Sequence, residues 1–279
     1  MRNRFASLFG AEVRISLAKH ALTIIRMGAF ARGGVILLDE TSIGDFPPQM
    51  LLQRCRSTLA ETSPAGLSLS VILSDDLVRL FMVTPPQNAA RLQDLIAAAN
   101  LRFQSLYGEA PHDWQVDANW QTGAPFLACA VPRALVEECR NLANDMRMPL
   151  VSLQPHFVAS WNAARRELMG AKDHAWLGVL RGHNLSLGIV TAKPKQRLNS
   201  VRTLTIPAGK ADFDWLQEQL TRAAMQAGVS APNSMLLAGD ARSEWTKAQH
   251  AQLKVTCVRN DTAQRMASAP APTAEATSA

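Results

Sequence analysis

The chain lacks the local signatures of the common nucleotide- and acyl-handling enzymes. It contains no GxxxxGK[ST], no GxGxxG and no GxSxG, so neither a phosphate loop, a dinucleotide fingerprint nor a nucleophile elbow is written into it. Its six histidines, His20, His112, His156, His174, His183 and His250, form no HxH or HxxxH pair, and no metal site is expected without such spacing. Four cysteines, Cys55, Cys129, Cys139 and Cys257, show no CxxC pairing. Met1–Gly10 carries Arg2 and Arg4 but no apolar leader, so these read as packed, reduced thiols in a cytoplasmic setting. No apolar run reaches the roughly 20 residues of a membrane span. After Met266 no apolar residue larger than alanine occurs, and 263–279 is expected to be a disordered tail.

What is present is an ordinary core-forming composition, 47% hydrophobic and 19% charged over 279 residues. A chain of that length buries roughly three-quarters of its unfolded surface. The net charge of +6 is modest, and its densest basic cluster, Lys193, Lys195, Arg197 and Arg202, has no aromatic interleaved. It reads as a solvated loop, so no nucleic-acid partner is expected.

The chain is organised around Ala175–Ile206. Two apolar runs, Trp176–Leu180 and Leu185–Val190, flank Arg181-Gly182-His183-Asn184, a natural hairpin turn because Gly and Asn tolerate positive φ. A third run, Val201–Ile206, completes a meander before a helix capped by Asp212 and closed by Gly228. The first half opens alike: Val13–Leu17, Leu22–Met27 and Val35–Leu38, with turns at Ala18–Ala21 and Gly33-Gly34, then a helix begun at Pro47-Pro48. Two halves with one opening suggest a duplicated α/β unit. Between them lie strands Leu67–Leu73 and Leu77–Val83, turned by Ser74-Asp75-Asp76, which reads as a turn-forming acidic pair. A helix follows in which Leu92, Ile96, Ala99 and Phe103 form the inward face, leaving Leu95 and Leu106 off that stripe. Trp114–Val116 and Phe126–Val131 are further strands. A helix from Pro132, strand Leu150–Leu153 and a helix Phe157–Leu168, with Val158, Trp161 and Leu168 inward, complete this half.

This layout, over residues 11–260, resembles the actin-like PilM proteins of type IV pilus assembly and the related cytoplasmic domain of GspL in type II secretion. Ile15–Met27, ISLAKHALTIIRM, is similar to the family's opening hairpin, and Leu92–Arg147 to its inserted subdomain. Trp176–Val190 sits where the second phosphate loop belongs, and Leu236–Ala241 where the family carries an adenosine motif. The resemblance implies an actin-like (ribonuclease H-like) α/β fold. It would comprise a first lobe at 1–170 with a small α/β insert at about 77–148, and a second lobe at 171–262.

The departures from that pattern bear on function. The family's first-loop Asp and Gly fall on Ser16 and Ala18, and its second-hairpin Asp on Val179 or Leu180. Magnesium in nucleotide sites is held by carboxylates together with phosphates, so catalytic residues and metal are expected to be absent. Lys19, Gly182 and Gly239 would be the remains of a nucleotide cleft. The resemblance therefore implies a non-enzymatic cytoplasmic scaffold, peripheral to the inner membrane. It would bind a cytoplasmic peptide of a membrane-anchored PilN-like protein through Phe81, Leu95, Leu106, Trp114 and Trp120. Self-association into a homodimer is compatible with it. The alternative is a nucleotide-binding, ATP-using member of the superfamily. A nuclease of related fold would need a strand-one carboxylate, and that position is Ser16.

Overall fold

The computed structural model describes residues 11–19, 21–28, 35–42, 47–62, 66–89, 91–171, 173–192, 196–207, 212–240, 242–247 and 253–258. The Met1–Gly10 lead, the Gly33-Gly34 turn, Lys193, Lys195 and the tail lie outside the described residues.

The chain begins as a meander, β1 (Glu12–Leu17), β2 (Ala21–Met27) and β3 (Val35–Ser42), followed by α1 (Pro48–Thr62) and β4 (Ser68–Leu73). Then come β5 (Arg79–Val83), α2 (Leu92–Tyr107), β6 (Trp114–Ala118) and β7 (Phe126–Pro132). The chain returns through α3 (Arg133–Asp145), β8 (Leu150–Pro155) and α4 (His156–Gly170). A second meander, β9 (Ala175–Arg181), β10 (Asn184–Val190) and β11 (Leu198–Thr205), leads to α5 (Phe213–Ala227), β12 (Ser234–Gly239), α6 (Ser243–Lys247) and β13 (Lys254–Cys257).

Two five-stranded sheets share one topology. Their orders are β3-β2-β1-β4-β8 and β11-β10-β9-β12-β13. In each, the meander is antiparallel and the last two strands run parallel to the meander's first. The duplication expected from the two openings is thus present in the strand order. The strands β5, β7 and β6 form a separate antiparallel sheet, with α2 on it. This is the α/β insert of the first lobe.

Sequence and packing agree at most positions. In α1, Leu51, Cys55 and Leu59 are fully buried. In α5, Asp212 caps as expected, its Oδ1 accepting from the Trp215 N–H at 2.8 Å, and Gly228 closes the helix at φ 65°. Two inward stripes differ. On α2 the buried residues are Leu95, Ala99 and Phe103, whereas Leu92 and Ile96 are 53% and 37% exposed. A face of four-residue steps must meet the three-stranded sheet beneath it, and only Leu95 to Phe103 does so. On α4 the buried set is His156, Phe157, Ser160, Ala164 and Leu168, while Val158 and Trp161 are half-buried.

The α4 stripe matters because the two large sheets meet on it. Phe157 lies in the main core with Ile15, Val71, Leu177 and Val190, residues of both lobes. Its ring reaches β10 at Gly188, where a Cβ would stand 2.6 Å from Phe157 Cζ. A methyl group there forces a fully buried ring to move, and overpacking of that kind costs about 1–3 kcal/mol. Gly188→Ala should lower the unfolding free energy from urea melts by that amount, and with it the midpoint, and Phe157→Leu in the same chain should recover part of it. An unchanged midpoint would mean the lobes do not meet this closely.

Candidate functional site

Of the residues expected at a vestigial nucleotide cleft, Gly182 and Gly239 lie together at one end of the second sheet, and Lys19 sits on the β1–β2 turn of the first. Ser16 is buried and faces Thr23 across the β1–β2 ladder. The β1–β2 turn closes with Ala18 N–H donating to the Ala21 carbonyl at 2.8 Å, leaving Lys19 exposed. Val179 and Leu180 are core residues, so the second hairpin offers no carboxylate.

The two glycines are engaged by the protein itself. Gly182 turns the β9–β10 hairpin at φ 55°, and its N–H donates to Asp240 Oδ2 at 2.8 Å. Arg181 donates to Asp240 Oδ1 at 3.0 Å and to Thr23 Oγ1 at 3.4 Å. Gly239 has φ 88°, and a Cβ there would lie 2.0 Å from the Leu180 carbonyl oxygen and 3.0 Å from His156 Cε1. Its missing side chain lets β12 cross close to β9. In this arrangement Asp240 holds the Gly182 turn and the Arg181 guanidinium within the second lobe, and Arg181 alone reaches across, to Thr23 on β2 of the first. Sequence reasoning missed Arg181 and Asp240; the only local signal was an acidic residue directly after a strand-ending glycine.

A second polar contact lies beneath the seam. The Ser74–Asp76 segment does turn, with Leu77 N–H donating to the Ser74 carbonyl at 3.0 Å. Asp75, however, is more than a turn former. It is buried, its Oδ1 accepts from the Phe157 N–H at 3.0 Å, and the Ser186 hydroxyl of β10 bonds the same carboxylate. Pro155, at the start of α4, has no side-chain acceptor to offer, so a residue 82 positions away caps that helix. Burial pushes the Asp75 carboxyl up to about 6, against the two hydrogen bonds and with the neighbouring Asp76 adding to the rise.

The thiols are packed groups. Burial raises all four, and Cys55 and Cys139 are pushed up to about 12, so none supplies a thiolate at neutral pH. Among the described residues no group of three or more His, Cys, Asp or Glu could hold a metal.

The residues expected to bind a partner divide. Phe81 and Leu95 are buried in the insert's own core. Leu95, expected to be exposed, is only 3% so, because it and not Leu92 faces the sheet. Trp114 packs on Phe103 with ring centres 5.3 Å apart, and Trp120 packs edge-on against Phe126 at 5.7 Å. Leu106 is 45% exposed. Phe81 and Leu106 both line an open groove of about 660 Å³ between the insert and β11, whereas Leu95, Trp114 and Trp120 do not.

No model of a known protein family matches the chain, and no curated protein matches it. Solved structures do. A Bacteroides thetaiotaomicron protein described as having an actin-like ATPase fold and unknown function is 9% identical, with a TM-score of 0.61 over 91% of this chain and 93% of that one. The chain therefore has the actin-like fold. It is also similar to the cytoplasmic domain of EpsL, an inner membrane component of the Vibrio cholerae type II secretion system, at 11% identity and a TM-score of 0.55 over 88% of this chain and 90% of that one. A chain of the PilM-PilN type IV pilus biogenesis complex is 14% identical, with a TM-score of 0.61 over 88% of each chain. The resemblance read from the sequence, to PilM and to the type II secretion domain, holds at the level of fold.

The Asp75 contact has a signed consequence. An acid whose folded pKa lies above its unfolded value of 3.8 contributes stability that is full below 3.8 and is lost as pH rises through about 6. The loss is about 3 kcal/mol at most. Asp75→Asn keeps an acceptor for the Phe157 N–H and removes the titration. The stability difference between parent and variant, from urea melts at pH 4 to 7.5, should shift steadily against the parent between pH 4 and 6. It should then level off. A flat difference would place the carboxyl outside the buried seam.

Proposed function

We propose that this chain is a non-enzymatic cytoplasmic scaffold subunit of a type IV pilus or type II secretion-like inner-membrane platform. It would hold the cytoplasmic peptide of a membrane-anchored, PilN-like protein. The observation that carries this reading is the join made by Arg181, Asp240 and Gly182. Where the resemblance expects a nucleotide's phosphates, Asp240 of the second lobe takes up the Gly182 N–H and the Arg181 guanidinium, and Arg181 reaches Thr23 of the first lobe at 3.4 Å. The residues at the two expected carboxylate positions, Ser16 and Val179 or Leu180, can neither hold magnesium nor position an attacking water.

Two further points support the reading. One structural neighbour is a chain of the PilM-PilN type IV pilus biogenesis complex, and another is the cytoplasmic domain of an inner membrane component. Among the described residues no helix is long and apolar enough to cross a membrane. The insert, with Leu106 exposed on α2, is the partner surface in this reading.

The test pairs two measurements on the full chain. With Mg²⁺ and ATP, turnover should be undetectable; a rate near 1 s⁻¹, within the usual enzyme range of roughly 1–10³ s⁻¹, would overturn the non-enzymatic reading. Titration with the cytoplasmic segment of the membrane protein encoded beside it should show binding that Leu106→Ala or Trp120→Ala weakens by at least about 1 kcal/mol. Failure to bind, or binding untouched by both substitutions, would move the partner surface off the insert.

A further inference from the structure

The groove between the insert and β11 has a buried acid on its floor and an exposed hydroxyl on its wall, and a second hydroxyl connects them. Asp75, on the turn after β4, and Thr203, on β11, both line the groove. Asp75 is 5% exposed, Ser186 of β10 is fully buried and Thr203 is exposed. Ser186 and Thr203 stand opposite each other across the β10–β11 ladder, and their hydroxyl oxygens are 3.1 Å apart. The Ser186 hydroxyl also bonds the Asp75 carboxyl. The acid and the two hydroxyls thus run in hydrogen-bonded order from the interior to the surface of the second lobe.

The acid sets the direction of those bonds. The Phe157 N–H donates to Asp75 Oδ1 at 3.0 Å, and a carboxyl oxygen can accept from an amide in either protonation state. An ionised carboxylate only accepts, so Ser186 must donate to it. The Ser186 oxygen then takes its second bond from Thr203, whose hydroxyl turns inward and shows the groove lone pairs alone. A neutral carboxyl carries one proton, and the amide engages Oδ1, so that proton goes to Ser186. Ser186 in turn donates to Thr203, and the Thr203 hydroxyl is free to donate into the groove. Ionisation releases one proton to water; the two hydroxyls only rotate, and nothing else is gained or lost.

Burial pushes the carboxyl up to about 6, so it is neutral in mildly acidic solution and ionised at neutral pH. Other ionisable groups surround it. Asp76 on the same turn adds to the rise. Cys129 of β7 is held neutral by burial, and His156 of α4 is buried beside Phe157. Over the groove, Arg79 of β5 is matched by Glu109 at 3.2 Å, while Arg102 and Tyr107 of α2 and Arg202 of β11 line its walls.

We propose that Asp75, Ser186 and Thr203 form a relay that displays the charge of the buried acid on the outer edge of the second large sheet. Thr203 offers the groove a donor when Asp75 is neutral and only acceptors when it is ionised. A group that presents an acceptor at Thr203 is therefore favoured in acid, and one that presents a donor is favoured at neutral pH. The relay invokes no nucleotide and no pilus or secretion component, so it stands or falls apart from the scaffold reading.

The test follows amide NMR signals of the full chain from about pH 4 to 7.5. In the parent the Phe157 and Thr203 amides should shift together, with one midpoint near 6. Asp75→Asn should remove the shift at both. Any contribution from His183, whose carbonyl accepts the Ile206 N–H at 2.7 Å, survives in that variant and is subtracted. In Ser186→Ala the acid remains, so Phe157 should still titrate, with a higher midpoint because a donor to the carboxylate is gone. Thr203 should lose its shift in the same variant. Thr203→Val should also raise the Phe157 midpoint, because the ionised acid loses the second donor in line. Thr203 is exposed, so this variant keeps the test readable if a buried substitution unfolds the chain. The relay is overturned by a Thr203 signal that is flat in the parent, or that follows a midpoint other than that of Phe157. It is overturned equally by a Phe157 midpoint unmoved in Thr203→Val. A Thr203 shift that persists in Ser186→Ala would also overturn it, since the charge would then act through space alone.

Discussion

The structure depends on how closely two similar sheets can be brought together over one helix. Phe157, near the start of α4, is the residue that both sheets use: its ring reaches Gly188 of β10 and its amide is held by Asp75 at the end of β4. An interior at this packing density does not deform continuously. A larger residue at Gly188, or a missing acceptor at Asp75, would disturb a contact that both lobes share. The Gly239 approach to Leu180 and His156 repeats the constraint at the neighbouring strand.

That closeness decides what chemistry the seam can support. In a cleft that takes a ligand, hairpin amides stay free to meet it and the turn residues stay apart. Here the Gly182 amide and the Asp240 carboxylate satisfy each other, and Arg181 spans to Thr23. With its side chain 14% exposed against 35% for Asp240, the pair is half-sheltered and contributes on the order of 1 kcal/mol. The pair fixes the β9–β10 turn against the end of β12, and the apolar core shared by both lobes together with the Arg181–Thr23 hydrogen bond holds the lobes to each other.

The sequence revealed the architecture because both meanders are written in β-branched and apolar runs broken by turn residues, and those signals are local. Asp212 and Gly228 marked the ends of α5 for the same reason. The errors arose where a partner element, not the helix itself, chose the face. α2 carries apolar residues on both sides of its inward line, so Leu92, Leu95, Ile96 and Leu106 were indistinguishable until the position of the three-stranded sheet was known. On α4, Ser160 is buried and Trp161 only partly so, the reverse of what hydrophobicity suggests, because the two sheets packed on the helix decide which of its faces is covered. Asp75 read as a turn acid for want of any local sign that its acceptor role belongs to a helix 82 residues later. The Arg181–Asp240 join, 59 residues apart, was equally out of reach of spacing arguments.

The site of insertion explains why a groove exists at all. The insert leaves the chain after β4, at the end of the strand where Asp75 turns inward to the second lobe. It cannot lie far from that lobe, and its first strand, β5, emerges beside β11. Strands brought together by such a connection have no reason to share register, since neither was selected to complete the other's sheet. They are neighbours without being partners, and the backbone between them stays unpaired. Duplicated sheets supply the rigid frame, and the insert turns one outer edge of that frame into a bounded surface with its own charge.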